Sequence, residues 1–158
     1  MFSIVGWSGS GKTMLITRLI GSFQARRRGV IAVKSTHAGY ALQPEGKDTA
    51  RFLQAGAREA YLVADGELLR MTRLASRADL LAELQGRLRP DDIVLLEGFS
   101  QPGIPAIEVR DPGGEKELKS RPADLAAVVG TGKVACACPH FAPDDIEGIR
   151  AFMEAYHG

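Results

Sequence analysis

Cysteine is scarce in this chain: two in 158 residues, Cys136 and Cys138. That is too few for the framework of a small disulfide-stapled domain. One residue apart, they would project from the same face of a strand over residues 134–138, too close along the chain for an ordinary structural disulfide and consistent with a reducing compartment. With His140 they offer part of a metal-ligand set, but a closed zinc site takes four ligands and no second Cys/His pair stands out. The plain reading is two small buried residues on a core strand. Long apolar runs are missing too: none approaches the roughly 18 residues of a membrane span. A first strand expected almost at Met1 leaves no basic segment and apolar stretch for a signal peptide, so a cytoplasmic protein is expected. Nor is either charge in excess, with 20 Lys and Arg against 19 Asp and Glu. Such a balance lacks the electrostatic footprint of a nucleic-acid or membrane-surface binder, and neither is expected as a partner. Repeats and low-complexity segments are absent, and the length suits one domain over residues 1–158.

What the chain does have is glycine in one telling arrangement. Gly6-Trp7-Ser8-Gly9-Ser10-Gly11-Lys12-Thr13 spells G-x-x-x-x-G-K-[ST], the pattern of a phosphate-binding loop. An apolar run, residues 2–5, precedes it. Helical spacing follows in Met14, Leu15, Ile16, Leu19, Ile20 and Phe23, so the order is strand, glycine loop, helix. Glycines at these places let successive N–H groups turn inward on phosphate oxygens at a helix N-terminus that already favours negative charge. Gly9, Ser10, Gly11, Lys12 and Thr13 are therefore the expected nucleotide-binding residues. Lys12 reaches the β- and γ-phosphates, and the Thr13 hydroxyl ligates Mg²⁺.

Further along, the first helix is expected to reach Arg26-Arg27-Arg28 and stop at Gly29. Residues 30–34 read as a buried parallel strand leading into a polar segment, 35–45. A short helix from Gly46 is closed by Gly56. Residues 59–64 and 67–74 flank Asp65-Gly66, a strong hairpin signal, and this β-hairpin is expected at one end of an otherwise parallel sheet. Residues 79–88 form an amphipathic helix. Residues 105–110 read as a strand, 111–122 as a loop in which Lys116, Lys119 and Arg121 stand within reach of an anionic ligand, and 125–129 as another strand. Asp144 or Asp145 caps a last helix with Ile146, Ile149, Phe152, Met153 and Tyr156 as its buried stripe. Alternating strands and helices after a βα glycine loop give an α/β, three-layer P-loop NTPase fold with a mainly parallel sheet and an added β-hairpin.

The second informative stretch is Ile93-Val94-Leu95-Leu96-Glu97-Gly98. Four apolar residues make a buried strand, and an acid stands at its carboxyl end, where a P-loop protein holds Mg²⁺ or its water shell. Glu97 is one methylene longer than the more usual Asp. Direct metal binding, action through water and positioning of a hydrolytic water all remain open to it. Lys12 and Glu97 are the catalytic candidates, and Thr13 and Glu97 the metal candidates.

At four places the sequence resembles the molybdopterin-guanine dinucleotide biosynthesis protein B family (MobB). They are the glycine loop, Val33-Lys34 with Thr36-His37, Gly46-Lys47-Asp48-Thr49 through Ala55-Gly56-Ala57, and Leu95-Leu96-Glu97-Gly98-Phe99 followed by residues 105–110. Gly-Lys-Asp, Ala-Gly-Ala and Glu-Gly-Phe at these spacings are far more specific than the loop alone. The resemblance implies a GTP-binding protein with slow GTPase activity and a Mg²⁺ requirement. It would act as a homodimeric adaptor to the guanylyltransferase that joins a GMP moiety to molybdopterin, with molybdopterin itself as a candidate ligand. It also implies that Lys34, His37, Lys47 and Asp48 line the ligand-facing side. Where many members carry further His and Asp residues after the second strand, this chain has Ser35, Ala38, Gly39, Ala41 and Gln43, so His37 lacks companions there.

Two other classes share the fold. A small-molecule P-loop kinase needs a mobile arginine-rich lid, for which Arg70, Arg73 and Arg77 or the 111–122 loop are the candidates. A nucleotide-binding module without significant turnover needs no base beyond Glu97. Guanine over adenine is not readable from the residues: no Asn-Lys-x-Asp motif occurs, and Thr131-Gly132-Lys133 is a poor substitute.

Overall fold

Six short strands pair in the order β2-β5-β1-β6-β7-β8, and every pairing in this sheet is parallel. They are β1 (Phe2–Val5), β2 (Val30–Lys34), β5 (Ile93–Glu97), β6 (Ala106–Val109), β7 (Leu125–Val129) and β8 (His140–Phe141). A separate antiparallel hairpin comprises β3 (Glu59–Ala64) and β4 (Glu67–Thr72), and the helices are α1 (Lys12–Ala25), α2 (Gly46–Gln54), α3 (Arg77–Gln85) and α4 (Ile146–Ala155). The structure is a computed structural model that describes residues 1–36, 46–113, 116–132 and 134–157, the side chains of Gly46, Lys47, Asp48 and Arg77 excepted. The fold is thus α/β with a mostly parallel sheet and an added hairpin, as the strand and helix pattern predicts.

The chain divides into two units: Met1–Thr36 with Arg89–Gly158, and His37–Leu88. In the first, alternate residues of the central strands, Phe2, Ile4, Ile93, Leu95, Ile107, Val109, Ala127 and Val129, turn to one face of the sheet. The period of two along a strand puts them there together. Leu15, Ile16, Leu19 and Phe23 of α1 and Ile149 and Met153 of α4 pack onto that face, and the two helices also contact each other. The opposite face is buried as well, through Val94, Leu96, Ala106 and Val128. Strands buried on both faces explain why these runs read as continuously apolar rather than alternating. The Asp145 carboxylate accepts from the Gly148 N–H at 2.9 Å and caps α4, so of the two predicted caps the second is used.

The second unit is smaller. The β3–β4 ladder turns at Asp65 (φ 48°) and Gly66 (φ 82°), the pair of positive φ values of a type I′ turn. Leu53 of α2 packs with Ala60 and Met71 of the hairpin. Ser76 caps α3 in a reciprocal box with Asp79.

Several expectations are corrected. The hairpin is a two-stranded sheet of its own and does not extend the parallel sheet. Among the described residues β2 lies at the sheet edge, paired with β5, and is half-exposed rather than buried. Helix α1 ends at Ala25, and Arg27, not Gly29, takes the left-handed conformation after it (φ 58°). At Gly29 a Cβ would lie 2.0 Å from Asp92 Oδ1, so a side chain there would displace the Asp92 carboxylate. Residues 134–138 are not a strand; the edge strand begins only at His140, and Cys136 and Cys138 form a disulfide across the bent segment. Released from a pleat, the two side chains turn toward each other.

Candidate functional site

Because the sheet is parallel, the carboxyl ends of its strands share one edge, the place where open α/β sheets collect ligand-binding groups. β1 runs into the glycine loop there. Gly9 (φ 78°) and Gly11 (φ 94°) adopt left-handed conformations, and Gly11 is the N-cap of α1. No side chain caps this helix, so its first N–H groups face the loop side. Ser10 is buried, and its Oγ has no hydrogen-bond partner. A buried hydroxyl without a partner is costly in a finished structure and ordinary in a site shaped for a polar ligand.

Register then brings Glu97 to the loop. Ile4 of β1 and Lys34 of β2 both stand opposite Glu97 of β5. The Thr13 hydroxyl lies 2.9 Å from each oxygen of the Glu97 carboxylate, and Lys34 Nζ lies 3.4 Å from Glu97 Oε1. Glu97 is buried, 9% exposed. The chain leaves this carboxylate through Gly98 (φ 66°), where a Cβ would come within 2.8 Å of the Ser35 carbonyl oxygen. Only glycine fits that exit without strain. Lys12 Nζ donates to the Trp7 carbonyl oxygen at 2.6 Å. Burial holds the Lys12 ammonium below the ordinary lysine range, with Lys119 and Lys34 adding to the effect and Glu97 and Glu108 opposing it.

One residue of this edge escaped the sequence reading. Glu108 of β6 stands opposite Val5 and is 1% exposed. Its carboxylate accepts from the Lys119 N–H at 3.1 Å, the Ser120 N–H at 2.8 Å and the Ser120 hydroxyl at 2.5 Å. It thereby ties residues 119–120 to the sheet. The tied loop covers Trp7: Trp7 Nε1 donates to the Glu117 carbonyl at 2.9 Å, and the Lys119 ammonium sits 4.3 Å from the ring centroid, with Lys116 at 5.4 Å. These are cation–π distances. Lys119 thus joins Lys12 and Lys34 around the loop, whereas Arg121 pairs with Asp124 at 2.5 Å. A single carboxylate within an apolar strand was the only available signal.

Beside the loop opens a cavity of about 350 Å³ lined by Gly11, Met14 and Arg18 of the loop and first helix, Val109 to Pro112 at the end of β6, Val129 to Thr131 at the end of β7, and Pro143. Its walls are mainly apolar, with guanidinium and carboxylate groups among the lining residues.

Of the residues picked from the sequence, Gly9, Ser10, Gly11, Lys12, Thr13, Lys34 and Glu97 therefore meet at one sheet edge. His37 lies outside the described residues, and Lys47 and Asp48 lie on α2 with side chains outside the described set. Of the arginines offered for a kinase lid, Arg70 pairs with Glu59 and Glu83 and Arg73 donates to the Leu53 carbonyl, while the Arg77 side chain lies outside the described set. No described helix is long and apolar enough to cross a membrane.

Residues 1–131 match the family described as molybdopterin guanine dinucleotide synthesis protein B, MobB. A Haemophilus influenzae protein named molybdopterin-guanine dinucleotide biosynthesis adapter protein is 38% identical over 109 residues, 68% of this chain and 61% of that protein. The match therefore spans about three-fifths of that relative's length. An Escherichia coli protein of the same name is 30% identical over 120 residues, 73% of this chain and 69% of its own. The crystal structure of Bacillus subtilis MobB superposes with a TM-score of 0.74 at 26% identity, covering 99% of this chain and 98% of that one.

Proposed function

The chain belongs to the MobB family, and from that premise we propose that it is a Mg²⁺-dependent GTP-binding adaptor with slow GTPase activity. In this reading it assists a guanylyltransferase in attaching a GMP moiety to molybdopterin during molybdenum cofactor biosynthesis, and it works as a homodimer in the cytoplasm. The observation that carries the reading is the seating of the Thr13 hydroxyl on both oxygens of Glu97, 84 residues away in sequence. A hydroxyl and a buried carboxylate at the mouth of a glycine loop are hard oxygen donors, the set that suits Mg²⁺.

The residues fit that ion and its nucleotide. The partnerless Ser10 Oγ and the uncapped start of α1 favour phosphate oxygens. Lys12, now on a carbonyl oxygen, exchanges that neutral acceptor for anionic phosphate, a stronger partner for an ammonium. Lys34 and Lys119 add positive charge. When bound, Mg²⁺ neutralises charge on the phosphates. Glu97 holds Thr13 in place and, in this reading, supports slow hydrolysis. The mainly apolar cavity beside Met14 takes the heterocycle.

The rival small-molecule kinase finds less support, because Arg70, Arg73 and Arg121 are bound to partners of their own. The test is a guanylyl-transfer assay with the partner transferase, Mg-GTP and molybdopterin. Wild-type protein raises product yield and Lys12→Ala does not. Rapid phosphorylation of a small acceptor, or equal stimulation by the two proteins, contradicts the adaptor reading.

A further inference from the structure

Cys136, Cys138 and His140 lie away from the nucleotide edge. β7 and β8 run parallel with Val128 beside His140, so the cysteines precede the amino-terminal end of β8, whereas the glycine loop follows the carboxyl end of β1. There the disulfide is flanked by the imidazole: Cys136 Sγ is 3.3 Å from His140 Nε2. One ligand atom from each of the three residues lies within 4.8 Å of the others. His140 is exposed and both cysteines are half-buried, lining a cleft of about 460 Å³ with Leu125, Ala126 and Tyr156. Small thiols and ions have access to them.

We propose that these three residues form a redox-gated site for one soft d¹⁰ cation, zinc(II) or copper(I), which binds the dithiol and not the disulfide. Metal–sulfur bonds of about 2.3 Å and metal–nitrogen bonds of about 2.0 Å put tetrahedral ligands about 3.5 to 3.8 Å apart. The Cys136 sulfur stands 3.3 Å from the His140 nitrogen, close to that spacing, and the three ligand atoms lie within 4.8 Å of one another, so reduction need only let the two bonded sulfurs part for all three to reach one ion. Two thiolates and one imidazole are a soft set that selects these ions over Mg²⁺. Three protein ligands leave one position for water or an exogenous ligand, so the site is labile rather than structural. Its location agrees: β8 is a two-residue strand at the sheet edge and His140 is exposed.

The gate balances as a thiol–disulfide exchange. A dithiol reductant gives two electrons and two protons to the Cys136–Cys138 bond and becomes a disulfide itself, and the cation then displaces both thiol protons. In the oxidised state the sulfurs bond to each other and have no thiolate to offer.

The experiment uses the full chain, reduced without oxygen by a phosphine or oxidised with diamide. Each form is titrated with zinc(II) against a chromophoric chelator and with copper(I) against a bicinchoninate competitor. Cobalt(II) serves as the spectroscopic reporter, since thiolate ligation gives an intense charge-transfer band. The reduced protein binds one equivalent, and the oxidised protein, Cys136→Ser and Cys138→Ser each bind about a hundredfold more weakly. His140→Gln weakens binding while keeping the thiolate band. Zinc-loaded wild type also resists alkylation by iodoacetamide, a readout that needs no variant to fold. Reduced wild type that binds no more tightly than the oxidised form, or whose cysteines alkylate as fast with metal as without, overturns the proposal.

Discussion

Replacing Glu108 by alanine removes the acceptor that holds residues 119 and 120 to the sheet, and the consequence can be worked from its three hydrogen bonds. Two backbone N–H groups and one hydroxyl lose their partner. A buried donor left unsatisfied costs about 1 to 3 kcal/mol, so the two N–H groups alone cost about 2 to 6 kcal/mol with the loop held in place. The loop can instead lift into water, which limits the loss to its docking energy, about 2 to 3 kcal/mol. At about 2 to 4 °C per kcal/mol for a chain of this size, the melting temperature falls by about 4 to 12 °C. A second readout is local. Trp7 is the only tryptophan, and its indole N–H and ring both contact this loop. Its emission therefore shifts to the red in Glu108→Ala, and GTP affinity falls as Lys119 leaves the site. Unchanged melting and unchanged Trp7 emission would refute the anchoring argument.

Three further outcomes are expected. Gly98→Ala forces a Cβ into the left-handed region and against the Ser35 carbonyl, costing about 1 to 3 kcal/mol in a thermal or urea melt; wild-type stability would show that the exit from β5 tolerates a side chain. Glu97→Gln keeps the shape but withdraws the charge, so the Mg²⁺ concentration needed for half-maximal GTP binding rises about tenfold or more while the fold is retained; an unchanged Mg²⁺ requirement removes Glu97 from the metal site. In the second unit, hydrogen bonds from Arg70 and then Tyr61 hold the Glu59 carboxyl down to about 2, and Arg70 and Arg87 lower Glu83 too. Carboxyls depressed in the folded state stabilise it above their unfolded values and lose that contribution as pH falls through the folded ones. The hairpin therefore loosens between about pH 4.5 and pH 2, and Arg70→Gln, followed by NMR of the hairpin amides, shows a smaller change over that range.

The strand, glycine turn and helix over residues 2–25 were legible because their determinants are local: the glycines that take left-handed conformations fall between a strand and a helix that announce themselves by apolar spacing. Glu97 was legible because an acid ending an apolar run has few structural reasons to be there. Asp65-Gly66 and the Asp145 cap follow from backbone preferences of single residues. Other features depend on partners far along the chain. Glu108 looked like one polar residue in a strand because its acceptor role rests on residues 119 and 120 folding back. That β2 is an edge strand depends on sheet order, which its five residues do not encode. The hairpin's separation from the main sheet is likewise a matter of pairing partners. The strand expected at residues 134–138 failed because alternation of small residues carries little information against a bend, and the bend is what lets Cys136 meet Cys138 and His140.

Whether the loop and Glu97 together bind Mg-GTP is decided by calorimetry. GTP and ATP are titrated, with and without Mg²⁺, into wild type and into Lys12→Ala of verified fold. Binding is expected to depend on Mg²⁺, to prefer GTP over ATP, and to be greatly weakened in the variant. GTP binding that is the same in both proteins, or indifferent to Mg²⁺, would contradict that expectation.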